Sequence, residues 1–208
     1  MATTESLTVY PAEYLESEST HGAANYTDFP IGKGVDNSTY ASFYLNDGIA
    51  GTAKIYYRFD LSAIPQDATI DSVVCKIKAS VSTTTNILTC NVSVCTGTTK
   101  KETSGELSTS ASTYTLDTAT WTRSELDDCR VCLNAVRSRG STSVYMRFYG
   151  AELTVVYTYE GQTFLLKTNG VWTEVSAVYK KADGAWVEQE DLQSLFDTSA
   201  NYVKGAMT

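Results

Sequence analysis

The side chains that most often carry out catalysis are scarce in this sequence. The 208 residues contain a single histidine, His21, which stands beside Gly22 in a loop-rich stretch. A hydrolytic triad needs a histidine base next to a nucleophile, and no G-x-S-x-G turn accompanies His21. We therefore expect His21 to lie in an exposed loop and not to act as a base.

Paired carboxylates are the next set of residues suited to chemistry. Two carboxyl groups flanking a glycosidic bond can hydrolyse it, and the sequence has adjacent acids at Asp127-Asp128 and at Glu190-Asp191. The first pair follows a predicted helix start and the second begins a predicted helix, where the helix dipole favours acidic side chains. The pattern therefore indicates structural carboxylates, and the sequence predicts a protein that is not an enzyme.

Five cysteines raise the question of a metal site. The spacings Cys90-x4-Cys95 and Cys129-x2-Cys132 are similar to those of a four-cysteine zinc site. Each pair differs in parity within a predicted strand, so its two thiols should point to opposite faces of a sheet. We predict reduced thiols, with Cys75 in the core, and no bound metal or cofactor. Oxygen donors for calcium are present only as scattered candidates whose spacing defines no ligand set: Asp36, Asn37, Asp47 and Asp60.

Aromatic rings are candidates for carbohydrate recognition, because exposed rings stack on sugars. Tyrosine is abundant, with 14 tyrosines against 6 phenylalanines. Each ring taken singly is better explained by packing in the core or on a sheet face. The rings considered for sugar stacking are Tyr26, Tyr40, Tyr44 and Trp121.

The charge of the chain argues against two classes of partner. The formal charge is −8, and no basic stripe is interleaved with aromatic residues. Nucleic acids and anionic membranes are polyanions, so an acidic surface does not attract them. The first 14 residues lack the basic and apolar regions of a secretory signal, and no apolar run is long enough to span a membrane. We therefore expect synthesis in the cytoplasm without export.

The elements that position these residues are predicted to be strands, and the clearest pair lies at residues 55–81. Apolar and polar residues alternate at 55–61 and again at 73–81, which is typical of half-buried strands. The connection at residues 62–71 contains Pro65 and is too long for a tight hairpin. We predict that it arches between the two sheets of a sandwich.

Further signals predict a mostly β protein with one short helix near residue 125. Thr122 and Glu125 fit a capping box, which predicts one or two helical turns through Asp128. Gly150, in the middle of the longest strand signal, predicts a bulge or bend. Residues 12–51 are expected to be loop-rich, and residues 96–112 to form an exposed loop. The other predicted strands cover residues 6–10, 40–45, 87–95, 114–116, 129–136 and 144–159.

A repeat follows residue 160. The segment LKTNGVWTE at 166–174 is echoed by KKADGAWVE at 180–188, an offset of 14 residues. Asn-Gly and Asp-Gly are strong signals for two-residue hairpin turns, so the repeat predicts two small hairpins, each with one tryptophan. A short amphipathic helix is predicted at residues 189–196. A module this small buries little surface alone, so we expect it to pack on the sandwich or on another subunit. The residues assigned to anchoring or oligomerisation are Trp172, Trp186, Leu192, Leu195 and Phe196.

The run RFDLSAIPQDATIDSVVCKIKA resembles the signature of DNRLRE-type β-sandwich modules, and residues 148–155 are similar to the last strand of these modules. The resemblance covers about residues 7–159. It implies a jelly-roll-like scaffold with no fixed catalytic residues, found in secreted bacterial surface proteins, carbohydrate-active proteins and bacteriophage structural proteins. The matching residues in the first run are Arg58, Phe59, Asp60, Leu61, Ile64, Pro65, Ala68, Thr69, Ile70 and Asp71.

The C-terminal repeat, followed by the segment SLFD, resembles modules of structural proteins from phages that infect Gram-positive bacteria. Together the two resemblances predict a jelly-roll-like antiparallel β-sandwich at residues 1–159 and a hairpin module at residues 160–208. They imply a non-enzymatic accessory protein of a phage particle, located on the capsid or tail, with other virion proteins as partners and a homo-oligomeric state. The alternative is an adhesin that binds a carbohydrate or receptor on the host surface, and a glycan hydrolase is the third hypothesis.

Overall fold

The structure is a computed structural model that describes residues 2–19, 22–25, 31–45, 50–118, 120–138, 143–160, 164–168, 171–175, 179–182 and 185–188. Only the backbone is described for residues 16–19, 22–25 and 44, and for the described residues after 160. Residues 2–160 form one compact unit, and residues 161–208 belong to a second unit. In the described ranges, no helix has the length and apolar character needed to cross a membrane.

Strands dominate the described part of the chain, as the alternating pattern predicts. The longest is the strand that contains Gly150, and the helix is a single short turn after Thr122. In chain order the elements are β1 (Ala2–Val9), β2 (Pro11–Ser19), β3 (Gly22–Asn25), β4 (Ala41–Leu45), β5 (Gly51–Phe59), β6 (Thr69–Val81), β7 (Ile87–Thr96), β8 (Thr99–Thr103), β9 (Ser112–Thr118), α1 (Arg123–Leu126), β10 (Cys129–Arg137), β11 (Val144–Glu160), β12 (Phe164–Thr168), β13 (Val171–Val175), β14 (Tyr179–Ala182) and β15 (Ala185–Glu188).

Two antiparallel sheets form the first unit, which confirms the predicted β-sandwich. The first sheet has the order β3-β4-β11-β6-β9, and β1 pairs with the second part of β11, whereas β4 pairs with its first part. The second sheet has the order β2-β5-β10-β7-β8. The rings of Tyr57 in the second sheet and Phe148 in the first sheet have centroids 4.9 Å apart, so the inner faces of the two sheets are in contact.

The core lies between these two inner faces and follows from the period of two along each strand. Alternate residues of one strand point to one face, so a strand with apolar residues at every second position buries that face. In β11 the buried residues shift parity at the bulge, from Phe148 to Ala151. The larger buried side chains of the two inner faces are Phe43, Ile55, Tyr57, Ile77, Val92, Val94, Val131, Leu133, Met146, Phe148 and Leu153.

Residues 60–68 connect β5 of the second sheet to β6 of the first, which confirms the predicted arch, although β6 begins at Thr69, earlier than predicted. Leu61, Ile64 and Ala68 are buried in the core. Two backbone hydrogen bonds close turns in the arch: the Ile64 amide donates to the Leu61 carbonyl at 3.1 Å, and the Ala68 amide donates to the Pro65 carbonyl at 3.2 Å. Buried apolar side chains and satisfied turn amides stabilise this connection.

The prediction of an exposed loop at residues 96–112 is wrong. β8 lies within this range and pairs with β7 at the edge of the second sheet, and Leu107 is buried. The Leu107 amide donates to the Cys90 carbonyl at 2.7 Å, which continues the coverage of β7. The polar composition that suggested a loop is also typical of an edge strand, where charged side chains remain in water.

The N-terminal strands are also longer than predicted. β1 begins at Ala2, not at residue 6, and β2 and β3 lie within the stretch that was expected to be loop-rich. The start of β1 is held by polar cross-strand pairs, including the hydroxyl groups of Thr4 and Thr158 at 2.9 Å. Polar pairs leave no hydrophobic alternation in the sequence, so the pattern did not reveal them.

Two local predictions are confirmed. The register of β11 against β6 shifts between Phe148 and Gly150, as expected for a bulge. Thr122 caps α1 through a reciprocal capping box with Glu125, although the helix ends at Leu126, earlier than predicted.

The second unit contains the two strand pairs expected from the repeat. β12 pairs with β13, and β14 pairs with β15, both antiparallel. In the first pair Lys167 lies opposite Trp172, and in the second Lys181 lies opposite Trp186, so the 14-residue offset is preserved in the strand register. The turn residues 169–170 and 183–184, and the predicted helix at 189–196, lie outside the described residues.

Candidate functional site

The adjacent acids Asp127 and Asp128 form salt bridges with two different arginines. Asp127 accepts a hydrogen bond of 2.5 Å from Arg123, and both carboxylate oxygens of Asp128 accept from Arg130, at 2.6 and 2.7 Å. Asp127 is the C-cap of α1, where the helix dipole disfavours a carboxylate, so the dipole explanation is wrong for this residue. Salt bridges to arginine account for both acids instead. His21, Glu190 and Asp191 lie outside the described residues.

The cysteines separate onto two faces, as the parity of their spacing predicts. Cys75, Cys90 and Cys129 lie in the core, whereas Cys95 and Cys132 pack with Tyr56 on the outer face of the second sheet. All five are free thiols. Within the described ranges, no three His, Cys, Asp or Glu side chains are grouped so as to hold a metal ion.

The electrostatic surroundings of the cysteines differ between the two faces. Burial raises the pKa of Cys75 and of Cys129, and it raises the pKa of Cys90 to about 12. On the outer face, the Cys95 thiol donates a hydrogen bond to Cys132, which lowers the pKa of Cys132 and raises that of Cys95. A thiolate is therefore more favourable in the Cys95–Cys132 pair than at the three core cysteines.

The sugar-stacking candidates have different outcomes. Trp121 is buried, and its indole nitrogen donates to the Thr118 hydroxyl at 2.5 Å, so it is a core residue. Tyr40 remains exposed, at 46% of its full accessible surface. Tyr26 and Asp47 lie wholly outside the described residues. Only the backbone is described for Tyr44, Trp172 and Trp186. Leu192, Leu195 and Phe196 lie wholly outside the described residues.

Tyr40 belongs to a cluster whose other members were not among the residues predicted to bind a ligand. Val144, Met146 and Phe148 of β11 point into the core, so the residues between them, Tyr145 and Arg147, point outward, and Tyr149 follows on the same face. Tyr40 packs edge-to-face on Tyr149, with centroids 5.2 Å apart and an interplanar angle of 62°. We call the surface formed by Tyr40, Tyr145, Arg147 and Tyr149 the tyrosine platform.

The loop before β4 holds Tyr40 in place through Asn37. The Asn37 amide nitrogen donates to the Tyr149 carbonyl at 2.8 Å and to the Thr39 carbonyl at 2.9 Å. Its side-chain oxygen accepts from the Thr39 hydroxyl at 3.0 Å, and Lys78 Nζ donates to the Asn37 carbonyl at 3.0 Å. A turn built on an asparagine side chain is well defined, so these bonds order the loop backbone that leads to Tyr40. These bonds also account for Asn37 without a calcium ion.

Two cations accompany the rings. Arg147 Cζ lies 5.2 Å from the centroid of Tyr40, and Lys78 Nζ lies 5.5 Å from the centroid of Tyr149. Both distances are within the range of cation–π attraction. Tyr145 is 42% exposed and Tyr149 only 8% exposed, so Tyr40 and Tyr145 present most of the aromatic surface to solvent.

A polar cleft of about 510 Å³ lies beside the arch and α1, but its charges are already satisfied. Glu13 forms a salt bridge with Arg58, and Asp127 forms one with Arg123. Asp60 accepts from the Ser62 amide at 3.0 Å, and hydrogen bonds from Ser62 lower the pKa of Asp60. Carboxylates held in this way serve the local structure, so the tyrosine platform is the better candidate for ligand binding.

The sequence contained a signal for the platform in the polar face of β11. The period-two pattern of residues 144–149 identifies the inward residues, and the intervening YxRxY spacing then defines an outward aromatic and basic stripe. Tyr40 joins this stripe only through the folded loop. Comparisons with protein-family models and with curated protein sequences gave no match for this chain.

Proposed function

We propose that this protein is a non-enzymatic accessory protein of a bacteriophage particle, attached to the capsid or the tail. The proposal begins from the resemblance of residues 58–71 to DNRLRE-type modules. It is supported by the part that these residues play in the fold, and by the repeated strand pairs of the second unit.

The observation that carries the proposal is that the resembling segment is devoted to architecture. Its apolar residues Leu61, Ile64 and Ala68 are buried, and Asp60 caps a turn. The carbonyl oxygens of the arch accept hydrogen bonds from Arg123, as in the 3.0 Å contact from Nη2 to Ile64. A motif whose side chains build the crossing between two sheets supports a scaffold role and leaves function to surfaces.

The second unit is assigned to assembly. Trp172 and Trp186 occupy equivalent positions in two strand pairs, each opposite a lysine. Repeated tryptophans in such small sheets favour burial against a partner, because large aromatic residues dominate the energetics of interfaces. We propose that they join copies of the chain to one another and to other virion proteins.

The direct test is mass spectrometry of phage particles purified by density gradient from a culture that produces the protein. We expect the chain at a fixed ratio to the major capsid protein. Particles carrying Trp172→Ala with Trp186→Ala should be depleted of it, whereas Arg58→Gln should be incorporated normally. Recovery of the wild-type chain only in the unassembled fraction would contradict the proposal. Light scattering on the full chain tests the homo-oligomer separately.

A second candidate function is carbohydrate binding at the host surface, and the tyrosine platform is the observation that favours it. Partly exposed rings held in place by Asn37 suit stacking on sugar rings, because little conformational entropy is lost on binding. A glycan array with the full chain tests this function. Binding that is lost in Tyr40→Ala would support it, and the absence of binding to every glycan would leave the particle role alone. The two functions are compatible in one protein.

A further inference from the structure

We infer that the tyrosine platform binds an acidic polysaccharide, with pyranose rings on Tyr40 and Tyr145 and a sugar carboxylate on Arg147. The inference rests on the second proposed function, carbohydrate binding, and specifies the charge of the ligand and the residue that recognises it.

Arg147 is the charged residue of the platform that is free of an ion pair with the described part of the chain. Its guanidinium lies over the ring of Tyr40, and the described part of the chain provides no acidic partner for it. Three other arginines, Arg58, Arg123 and Arg130, each form a salt bridge with a carboxylate of this protein. Arg147 is half-buried on an aromatic surface, and within the described ranges no side-chain hydrogen bond occupies its guanidinium donors.

The charge at the platform differs in sign from the net charge of the chain. The chain as a whole carries a formal charge of −8, yet Arg147 and Lys78 lie together at the platform. Glu152, the next acid along the outer face of β11, lies beyond the bulge, and its carboxylate accepts from the Val35 amide at 3.4 Å. Two cations therefore lie against the rings of the platform on a chain whose net charge is negative, and these cations are complementary to an anion.

The spacing of the tyrosine rings around Arg147 suits a chain of charged sugars. Tyr145 and Tyr149 stand four residues apart on one strand, which is about 13 Å, with Arg147 between them. Tyr40 packs on Tyr149, so the exposed rings of Tyr40 and Tyr145 lie on either side of Arg147. Tyrosine faces pack on the apolar C–H faces of pyranose rings, and a guanidinium binds a carboxylate through two parallel hydrogen bonds. A chain of uronic acid units satisfies both groups, whereas a polyol phosphate offers the anion without a rigid apolar ring.

The probe for the test is a hexamer of galacturonic acid, compared with its full methyl ester by isothermal titration calorimetry on the full chain. The two probes have the same rings and differ in charge. We expect the acid to bind at least about tenfold more tightly than the ester, with an affinity that falls as salt is added. Equal binding of the acid and the ester overturns the inference, and so does binding of neither.

Variants at Arg147 locate the recognition. Arg147→Gln should weaken binding of the acid about tenfold and leave binding of the ester unchanged, whereas Arg147→Lys should fall between, because it keeps the charge but loses the fork. Arg58→Gln, on the second sheet, is the matched control and should bind as the wild type does. Unfolding midpoints close to that of the wild type will show that the variants fold. Unchanged binding of the acid by Arg147→Gln overturns the inference.

The outcomes also separate this inference from the proposals on which it stands. Equal binding of both hexamers, lost in Tyr145→Ala, rejects the acidic ligand but retains carbohydrate binding. Tighter binding of a ribitol phosphate oligomer than of the acid hexamer also rejects it, because the platform would then recognise phosphate. Incorporation into particles is measured independently of all these titrations.

Discussion

The backbone amide of Ala151 donates a hydrogen bond of 3.1 Å to the carbonyl oxygen of Lys33. The bond joins the β11 bulge to the loop that continues through Asn37 to Tyr40. Gly150 lies at this contact, and a Cβ atom at this position would collide with the carbonyl oxygens of Lys33 and Gly34. The glycine is therefore required by close approach of the loop backbone, and the position of the tyrosine platform depends on it.

Gly150→Ala should lower the free energy of unfolding by about 1–3 kcal/mol, because the loop must move away from the bulge. Urea denaturation followed by fluorescence measures this loss. Gly105→Ala is the matched control, because a Cβ atom there meets nothing within 4 Å. A Gly150→Ala variant as stable as Gly105→Ala would show that the loop contact is not tight.

Replacing Arg123 should destabilise the arch. Its guanidinium donates to the carbonyl oxygens of Ile64 and Pro65, at 3.0–3.2 Å, and its side chain is 7% exposed. Arg123→Met leaves buried carbonyl groups without donors, so we expect a loss of about 1–3 kcal/mol in the free energy of unfolding.

The matched control is Arg58→Met, which removes an arginine from a salt bridge whose side chains are 44% and 49% exposed. Exposed ion pairs contribute about 0–1 kcal/mol, so this variant should unfold close to the wild type. Equal losses in both variants, measured by urea denaturation, would show that the arch does not depend on Arg123.

The capping box should make stability depend on acid pH. A hydrogen bond of 2.6 Å from Lys101, with further bonds from Thr122, lowers the pKa of Glu125 below its usual 4.5. A carboxyl group with a depressed pKa in the folded state stabilises the fold above its unfolded pKa, and this contribution is lost as the pH falls through the folded value.

The difference in unfolding free energy between the wild type and Glu125→Gln should therefore be present at pH 7 and decline as the pH falls below the usual pKa of a glutamate, 4.5. Urea titrations across this range measure it. Glu102→Gln removes a charge from the same strand as Lys101 without touching the capping box, and serves as the control. A difference that persists unchanged into acid would mean that ionised Glu125 does not stabilise the fold.

The thiols should react in a defined order. All five cysteines are buried, and burial raises the pKa of Cys75 and Cys129, whereas Cys132 has a lowered pKa. The thiolate is the reactive form, so iodoacetamide should alkylate Cys132 before Cys75 in the native protein. Peptide mass spectrometry over time measures the order, and in urea all five should react at similar rates. Faster modification of Cys75 would be inconsistent with the assignment of the two faces.

The strands with strong apolar alternation could be predicted from the sequence because a period of two along a strand is a local property. Residues 55–59 and 73–81 identify their own buried faces, and Pro65 excludes a tight hairpin between them. The cysteine spacings predicted opposite faces for the same reason, and Thr122 with Glu125 predicted the capping box from four adjacent residues.

Contacts between distant segments were not predictable in this way. β8 and the start of β1 are polar strands whose existence depends on the partner strand, such as Thr4 against Thr158. The salt bridges of Asp127 and Asp128 were also not predicted, and the helix dipole was invoked for these acids instead. Their arginine partners are oriented by packing in the folded protein, which the sequence does not show.

The tyrosine platform was likewise predictable only in part. The outward positions of Tyr145 and Arg147 follow from the alternation within β11, which the order of residues along the chain specifies. The addition of Tyr40 comes from the tertiary structure, in which the Lys33 carbonyl meets the bulge at Gly150 and Asn37 bonds to Tyr149. A local pattern specifies the direction of a side chain, but packing between segments more than 100 residues apart decides which side chains share a surface.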